Sequence, residues 1–494
     1  MRCTMQRIYF VSKNENKYEE IKEIAQNCEI GNPFEIHLKK EELTELQADD
    51  MHTLVKNKAF EAFKILRRPV IVEHTALEIS AFENLPGLHT NYFYSKLGYK
   101  SIVEFCGNKK NYAAVVKSVF CICDGKKYWI GEGQEEGNIV RTAENINEKD
   151  GFGWDIIFIP QKDNPEQKTY ACLKEKKNRR SMRKQAWENL LKQNPKLLEE
   201  MNNQNEDENL DELAKLIADK KVMLFIGAGI SASLQFPSWE KLINELAKEL
   251  GYEPELFKSY GDYMMLAEYA KINMKEQLYD KLSDTFTITN EIQKDLHDSE
   301  LYKKIAKLDF PVIYTTNYDS LVEMYYSKHD LKYTLVKNIS DMKEVESGKT
   351  RIMKFHGDIN EEKTIVLSES QYFERMNFQS FMDIQLQADM LHYHILFLGY
   401  SLSDINIKLL WYLARKRWGN NNSPVEYNNK QEEIQNAYIY SATPNYIQKE
   451  VFASNGIITY FGNEEDKGKG TIQFLDKLSS KVDLIKNRND DTLI

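Results

Sequence analysis

Short apolar runs closed by glycine or polar residues recur through the second half of the chain. The clearest are 222–226 (VMLFI), 311–314 (PVIY), 351–355 (RIMKF) and 395–398 (ILFL). Each has the length of a strand buried on both faces, and amphipathic stretches such as Trp239, Leu242, Leu246 and Leu250 lie between them. Strands separated by helices predict a doubly wound parallel sheet. Residues 253–300 are acidic, aromatic and helical in pattern, and predict an inserted helical module. The first half is patterned differently. Arg7–Val11 predicts a strand, followed by a polar loop and a helix with Tyr18, Ile21, Ile24 and Ala25 on one face. Leu54–Leu66 predicts a second helix, leading through Pro69 to a strand at Val70–Glu73. Residues 111–139 alternate around a turn at Asp124-Gly125, the pattern of an antiparallel hairpin. Ile156–Pro160 predicts a short strand, and Arg180–Gln193 a polar helix whose stripe is Trp187, Leu190 and Leu191.

Between the halves the chain changes character. The run NNQNEDEN within 196–212 has almost nothing to bury, which predicts a linker at 198–212 between domains 1–197 and 213–494. A solvated helix end is the other reading of that run. The length of 494 residues exceeds one ordinary core and predicts two or three domains. Hydrophobic content of 42% with 29% charged residues describes a globular chain, and no apolar run is long enough for a bilayer. The net charge of −10 argues against direct nucleic-acid binding, although 176–184 (KKNRRSMRK) is locally basic. Cys3, Cys28, Cys106, Cys121, Cys123 and Cys172 form no C-x-x-C pair, so neither a zinc ribbon nor a disulfide framework is expected. With no apolar signal region at the N-terminus, a cytoplasmic chain is expected.

Each of the four apolar runs of the second half ends in residues with chemistry. Gly227-Ala228-Gly229-Ile230-Ser231 follows the first and Thr315-Thr316-Asn317-Tyr318-Asp319 the second. His356-Gly357-Asp358 follows the third and Gly399-Tyr400-Ser401-Leu402-Ser403-Asp404 the fourth. Open α/β sheets bind ligands outside the carboxyl ends of their strands. Gly227, Gly229 and Ala232 also fit the G-x-G-x-x-G/A spacing that lets backbone approach a pyrophosphate. Each piece has a plainer reading: a tight strand-to-helix turn, a helix cap at Asn317 and Asp319, a turn histidine at His356, and an N-cap at Ser403 or Asp404.

Taken in order, GAGIS, TTNYD, KFHGD and GYSLSD are similar to the sirtuin NAD-binding core. They most resemble the bacterial sirtuin-like branch that hydrolyses NAD in anti-phage defence, over about residues 213–465. That resemblance implies Asn317 positioning the attacking water and the ribose, His356 acting as general base or polarising the ribose hydroxyl, and Asp319 supporting the nicotinamide side. Gly227, Ala228, Gly229 and Ser231 would cradle the pyrophosphate, with Thr316 and Gly399 in the same binding set. Ser401 and Asp404 would close the adenosine side. Sirtuin deacetylases usually carry a four-cysteine zinc module. No cysteine follows Cys172, which favours NAD hydrolysis without zinc.

In the first half, Ser12, Asn14 and Lys17 offer hydrogen-bonding and cationic groups to a triphosphate. Phe152, Trp154 and Asp155 offer aromatic plates and a carboxylate to a base, and Lys177, Ser181 and Arg183 lie on the basic run. Glu45 and Glu73 are candidate Mg2+ carboxylates. The basic run alone reads more readily as a solvated face. SKNENKYEEIKEI, ELQ at 45–47, VEHTALEI, LPG at 85–87, GFGWDIIFIP and KNRRSMR together resemble the inosine triphosphate pyrophosphatase family over residues 5–195. The resemblance implies a mixed-sheet α/β domain with a nucleotide cleft. It breaks at His74, where the family has a catalytic aspartate, and at Met182, where it has a base-reading histidine. Imidazole is a poor ligand for Mg2+.

The two halves together are expected to form a defence effector. A deoxyinosine or inosine triphosphate held by the first domain would trigger NAD hydrolysis by the second, in a homo-oligomer with a companion deaminase encoded nearby. The competing expectation is a nucleotide-pool housekeeping pyrophosphatase with a regulatory NAD-reading domain.

Overall fold

The computed structural model describes residues 5–144, 146, 153–173, 175–178, 180–197, 201, 210–402, 404–419, 437–462 and 466–491. The chain divides into two compact units, Met1–Asp207 and Glu208–Ile494.

The first unit is built on β1 (Gln6–Val11), β2 (Phe34–Lys39), β3 (Val70–Ile79), β4 (Leu85–Gly87), β5 (Ala113–Cys123), β6 (Tyr128–Ile139) and β7 (Phe158–Pro160). Their order is β2-β1-β3-β5-β6-β7, with β4 on β3. β1 runs parallel to β2 and β3, and the remaining pairs are antiparallel, so the sheet is mixed. The hairpin turn is fixed by Asp124, whose Oδ1 accepts from Lys126 N at 2.8 Å and Lys127 N at 3.0 Å. The alternation of β1 and β3 feeds two cores. Ile8, Phe10 and Ile71 pack with the helices Glu15–Gln26 and Met182–Gln193, while Tyr9, Val11, Val70 and Val72 pack with Met51–Leu66. The glycines of β6 let the helix Met182–Gln193 lie directly on the strand: a Cβ at Gly131 would stand 2.3 Å from Ala186 O. Of the stripe expected on that helix, Trp187 and Leu190 are fully buried and Leu191 only partly.

The second unit contains β8 (Val222–Ile226), β9 (Val312–Thr315), β10 (Tyr333–Val336), β11 (Thr350–Lys354), β12 (His394–Leu398), β13 (Ala437–Ser441) and β14 (Ile457–Phe461). All pairings are parallel, in the order β10-β11-β9-β8-β12-β13-β14. β8 is wholly buried because it feeds both faces: Val222, Leu224 and Ile226 enter one core, Met223 and Phe225 the other. The chain passes from β8 to β9 on one side and returns to β12 on the other, so the strand order reverses between β8 and β12. The expected helical module consists of five helices: Pro254–Lys258, Tyr263–Met274, Gln277–Thr285, Asn290–His297 and Glu300–Lys307.

Some expectations need correction. Asp211 and Glu212, placed in the linker, begin the helix Asp211–Ala218, whose Leu213, Ala214 and Ile217 are buried. Residues 198–200 and 202–209 of that stretch lie outside the described residues. Strands β2, β4, β10, β13 and β14 were not anticipated. β4 has only three residues and β10 is half-buried at an edge, so neither makes a long apolar run. Among the described residues no helix is long and apolar enough to cross a membrane.

Candidate functional site

The four strand-end clusters of the second unit follow four adjacent strands, β11, β9, β8 and β12, at the reversal of strand order. Two loops meet there in backbone contact. Gly227 N donates to Leu398 O at 3.0 Å, and Gly229 N to Gly399 O at 2.9 Å. A Cβ on Gly227 would lie 2.5 Å from Gly399 O, and Gly399 itself has φ +61. These glycines therefore serve first to let the ends of β8 and β12 touch. The expectation that the loop offers its amides to a pyrophosphate changes accordingly, since the Gly227 and Gly229 amides are already engaged. Ala228 follows Gly227 in a single helical turn, Ala228–Ser231.

Ser231 links this loop to the next. Asn317 Nδ2 donates to Ser231 Oγ at 3.0 Å, and Ser231 Oγ donates to Asp319 Oδ2 at 2.8 Å. Asp319 Oδ1 also accepts from Leu321 N at 3.1 Å, so it caps the helix Leu321–Lys328 as well as fixing Ser231. Asn317, Asp319 and Ser231 are all buried.

His356 lies on the far side of β9, buried to 2% exposure. Its Nε2 is 3.3 Å from Asp404 Oδ2, and the Tyr372 hydroxyl is 3.5 Å from its Nδ1. Burial pushes the imidazole down to about 4, against the pull of Asp404 and with help from Arg375. The ring is thus neutral near pH 7, the form that can accept a proton. Asp404 Oδ1 meanwhile accepts from Ile407 N at 3.1 Å, so the cap reading of this residue holds while its other oxygen faces His356. Thr316 stands beside Tyr400, whose phenol is driven up by burial and then by Asp404. Ser401 is exposed, and its carbonyl accepts from Gln448 Nε2 at 3.2 Å. Ser403 lies outside the described residues. Tyr372 and Arg375 were missed from the sequence: they come from the short helix Glu369–Glu374 and the turn after it, together too short to give a periodic signal.

In the first unit the expected nucleotide residues form a chain of ion pairs. Lys17 Nζ meets Glu73 Oε2 at 2.7 Å, and Glu73 Oε1 accepts from Ser118 Oγ at 2.9 Å and Arg183 Nε at 3.0 Å. Arg183 continues to Glu20, Glu20 to Lys177 at 3.0 Å, and Lys177 to Asp155 at 2.5 Å. Burial alone would raise the Glu73 carboxyl, but Lys17 and Arg183 hold it well below the usual carboxylate range. Burial raises Asp155 despite Lys177. Glu20 was missed, although its position three residues after Lys17 on one helix is the signal that would find it.

Other residues of the set do local work. Ser12 Oγ accepts from Asn14 N at 3.1 Å, Asn14 Oδ1 caps the helix Glu15–Gln26, and Ser181 caps Met182–Gln193. Trp154 is not an open plate: it is 8% exposed and stands edge-on to Phe158 at 5.9 Å. Phe152 lies outside the described residues. Glu45 directs Oε1 to Lys58 Nζ at 2.8 Å and faces His74 Nδ1 at 3.7 Å, while both oxygens of Glu73 are engaged. The expected magnesium carboxylates are therefore ion-pair partners, Glu73 and His74 leave opposite faces of β3, and the imidazole beside Glu45 is a poor ligand, so the donor set does not fit Mg2+. Among the described residues no group of three or more His, Cys, Asp or Glu is placed to hold a metal.

Fold and site thus define a two-unit α/β protein with a buried chain of ion pairs in one unit and a strand-end site in the other. Residues 8–193 match the Ham1 family and residues 311–457 the SIR2-like domain. A dITP/XTP pyrophosphatase of Saccharolobus solfataricus is 37% identical over 186 residues, 37% of this chain and 90% of that protein. An inosine triphosphate pyrophosphatase of Kluyveromyces lactis is 32% identical over 187 residues, 37% of this chain and 93% of that protein. The NAD(+) hydrolase ThsA of Enterococcus faecium is 29% identical over 201 residues, which is 40% of each chain. The chain belongs to the Ham1 family through its first unit and carries a SIR2-like domain in its second.

Proposed function

We infer that this chain is a defence effector whose second unit hydrolyses NAD+ to ADP-ribose and nicotinamide. The observation that carries this reading is a neutral, buried His356 beside Asp404 after β11, with the Asn317–Ser231–Asp319 chain at the end of the adjacent strand β9. The nicotinamide leaving group is already cationic, so departure needs little acid help. It needs a dry pocket and a placed water. Asn317 orients that water, whose oxygen bonds to the ribose C1′ as the glycosidic electron pair leaves with nicotinamide. His356 receives the proton.

The first unit acts as the sensor. A purine triphosphate of deoxyinosine or inosine type binds among Lys17, Lys177 and Arg183, displacing carboxylates that occupy them at rest. His74 replaces the group that would otherwise drive hydrolysis, so the trigger persists. Binding favours the active state of the second unit, and NAD loss halts the infected cell. We place the effector in the cytoplasm as a homo-oligomer, with the nucleotide made by a companion deaminase.

Purified chain is incubated with NAD+, with and without deoxyinosine triphosphate. NAD+ loss only with the nucleotide supports the reading. Nucleotide hydrolysis without NAD+ loss would instead favour the housekeeping pyrophosphatase.

A further inference from the structure

Lys354 is the last residue of β11, two positions before His356, and its side chain has no solvent exposure. An ammonium without water must find acceptors for its three protons. Lys354 Nζ donates to the backbone carbonyl of Asp319, lies 3.3 Å from Glu323 Oε1 and 3.8 Å from Asp358 Oδ2. These acceptors come from three places: the loop after β9, the helix Leu321–Lys328 and the loop after β11. Glu323 is itself buried, and burial raises its carboxyl against the pull of Lys354.

The position of this cation decides what it does. Asp319 fixes Ser231, and Ser231 receives Asn317. Asp358 sits two residues past His356, its amide held by Thr364 Oγ1 at 3.0 Å. One buried ammonium thus ties the loop that carries Asn317 to the loop that carries His356. A charge in that place is costly to bury and has no contact with the protein surface, so an apolar side chain would serve simple packing better.

We propose that Lys354 is a positioning residue that sets Asn317 and His356 in register for NAD+ hydrolysis, by holding Asp319, Glu323 and Asp358 on one ammonium. This rests on the NAD-hydrolysing reading above. Misplacement of a reacting group by about 1 Å costs on the order of a hundredfold in rate.

The test uses the full chain. Lys354→Met alone would strand two buried carboxylates, so it is paired with Glu323→Gln, and Glu323→Gln serves alone as control. With NAD+ and deoxyinosine triphosphate, the double variant is expected to lose about a hundredfold in kcat with KM within threefold of wild type, while the control keeps most of its activity. In parallel, hydrogen exchange follows the amides of Asn317, Leu321 and Asp358, which Thr315, Asp319 and Thr364 protect. These amides are expected to exchange at least tenfold faster in the double variant, with β8 and β12 unchanged. A kcat within threefold of wild type, or unaltered protection at all three amides, overturns the proposal. If the wild-type chain leaves NAD+ intact under every condition, the hydrolase reading fails, and the exchange arm still decides whether Lys354 holds the two loops.

Discussion

Gly229 donates its backbone N–H to the Gly399 carbonyl at 2.9 Å, so the strand ends on either side of the sheet's reversal are in direct contact. Gly399 has φ +61, and a Cβ there would fall 2.6 Å from Ile230 N. Gly399→Ala therefore meets both a left-handed backbone and a backbone clash. It is expected to destabilise the second unit by about 2–4 kcal/mol and to remove NAD+ loss. Thermal unfolding of the full chain measures this, and an unchanged melting profile would show that the loops do not need their contact.

Asn317→Ala and His356→Ala test the chemistry itself. Both side chains touch few groups outside the site, so the fold should survive. General-base removal costs about 10²–10⁴-fold, and NAD+ loss in either variant should fall by at least that lower bound. Far-UV dichroism identical to wild type separates this from unfolding. Full activity in either variant would remove that residue from the mechanism.

The strand ends were legible because β8, β9, β11 and β12 are largely buried on both faces and so appear as short, mainly apolar runs ending in polar residues. Boundaries slipped by one residue where the runs blur: Thr315 closes β9, and Phe355 falls beyond β11. Partnerships were not legible. Lys17 meets Glu73 across 56 residues, and Glu73 meets Arg183 across 110. No local pattern encodes which carboxylate a cation will find. Lys354 stood in plain view inside an apolar run, and the mismatch between its charge and that run was the unread signal.

Burial of neutral His356 makes stability depend on pH. The folded chain keeps this ring unprotonated down to about 4, whereas its ordinary value is 6.5. Between those values the unfolded chain binds a proton that the folded chain does not. Stability from this group is therefore intact above pH 6.5 and declines as pH falls toward 4, by about 3 kcal/mol in all. Urea unfolding from pH 4 to 7 should show the decline, and His356→Gln should flatten it. Equal slopes in the two proteins would mean that the ring is not buried neutral.

Glu73 is the centre of the first unit's charge chain, with Lys17 and Arg183 on its two oxygens. Glu73→Gln keeps the shape and removes the charge, leaving two buried cations short of a partner. The expected cost is about 3–5 kcal/mol, seen as a lower midpoint for unfolding of the first unit. Removing one partner should also free Lys17 and Arg183 for an anionic ligand. Binding of deoxyinosine triphosphate, measured by calorimetry, is therefore expected to tighten at temperatures where the variant is folded. Weaker binding would mean that Glu73 contacts the ligand rather than competing with it.

On the sensor reading, His74 is the residue that separates binding a nucleotide from hydrolysing it. Its Nε2 lies 3.0 Å from Leu88 O, which fixes the ring, and its Nδ1 faces Glu45 at 3.7 Å. His74→Asp shortens the side chain, releases Leu88 O and sets a second carboxylate beside Glu45. Two hard oxygens in that place suit Mg2+ where an imidazole does not. The variant is expected to release pyrophosphate from deoxyinosine triphosphate in a Mg2+-dependent reaction at least tenfold faster than wild type. Because the trigger is then consumed, NAD+ loss after a single addition of nucleotide should stop early in the variant and run on in the wild type. If the wild-type chain already hydrolyses the nucleotide as fast as the variant, His74 is not what separates sensing from catalysis.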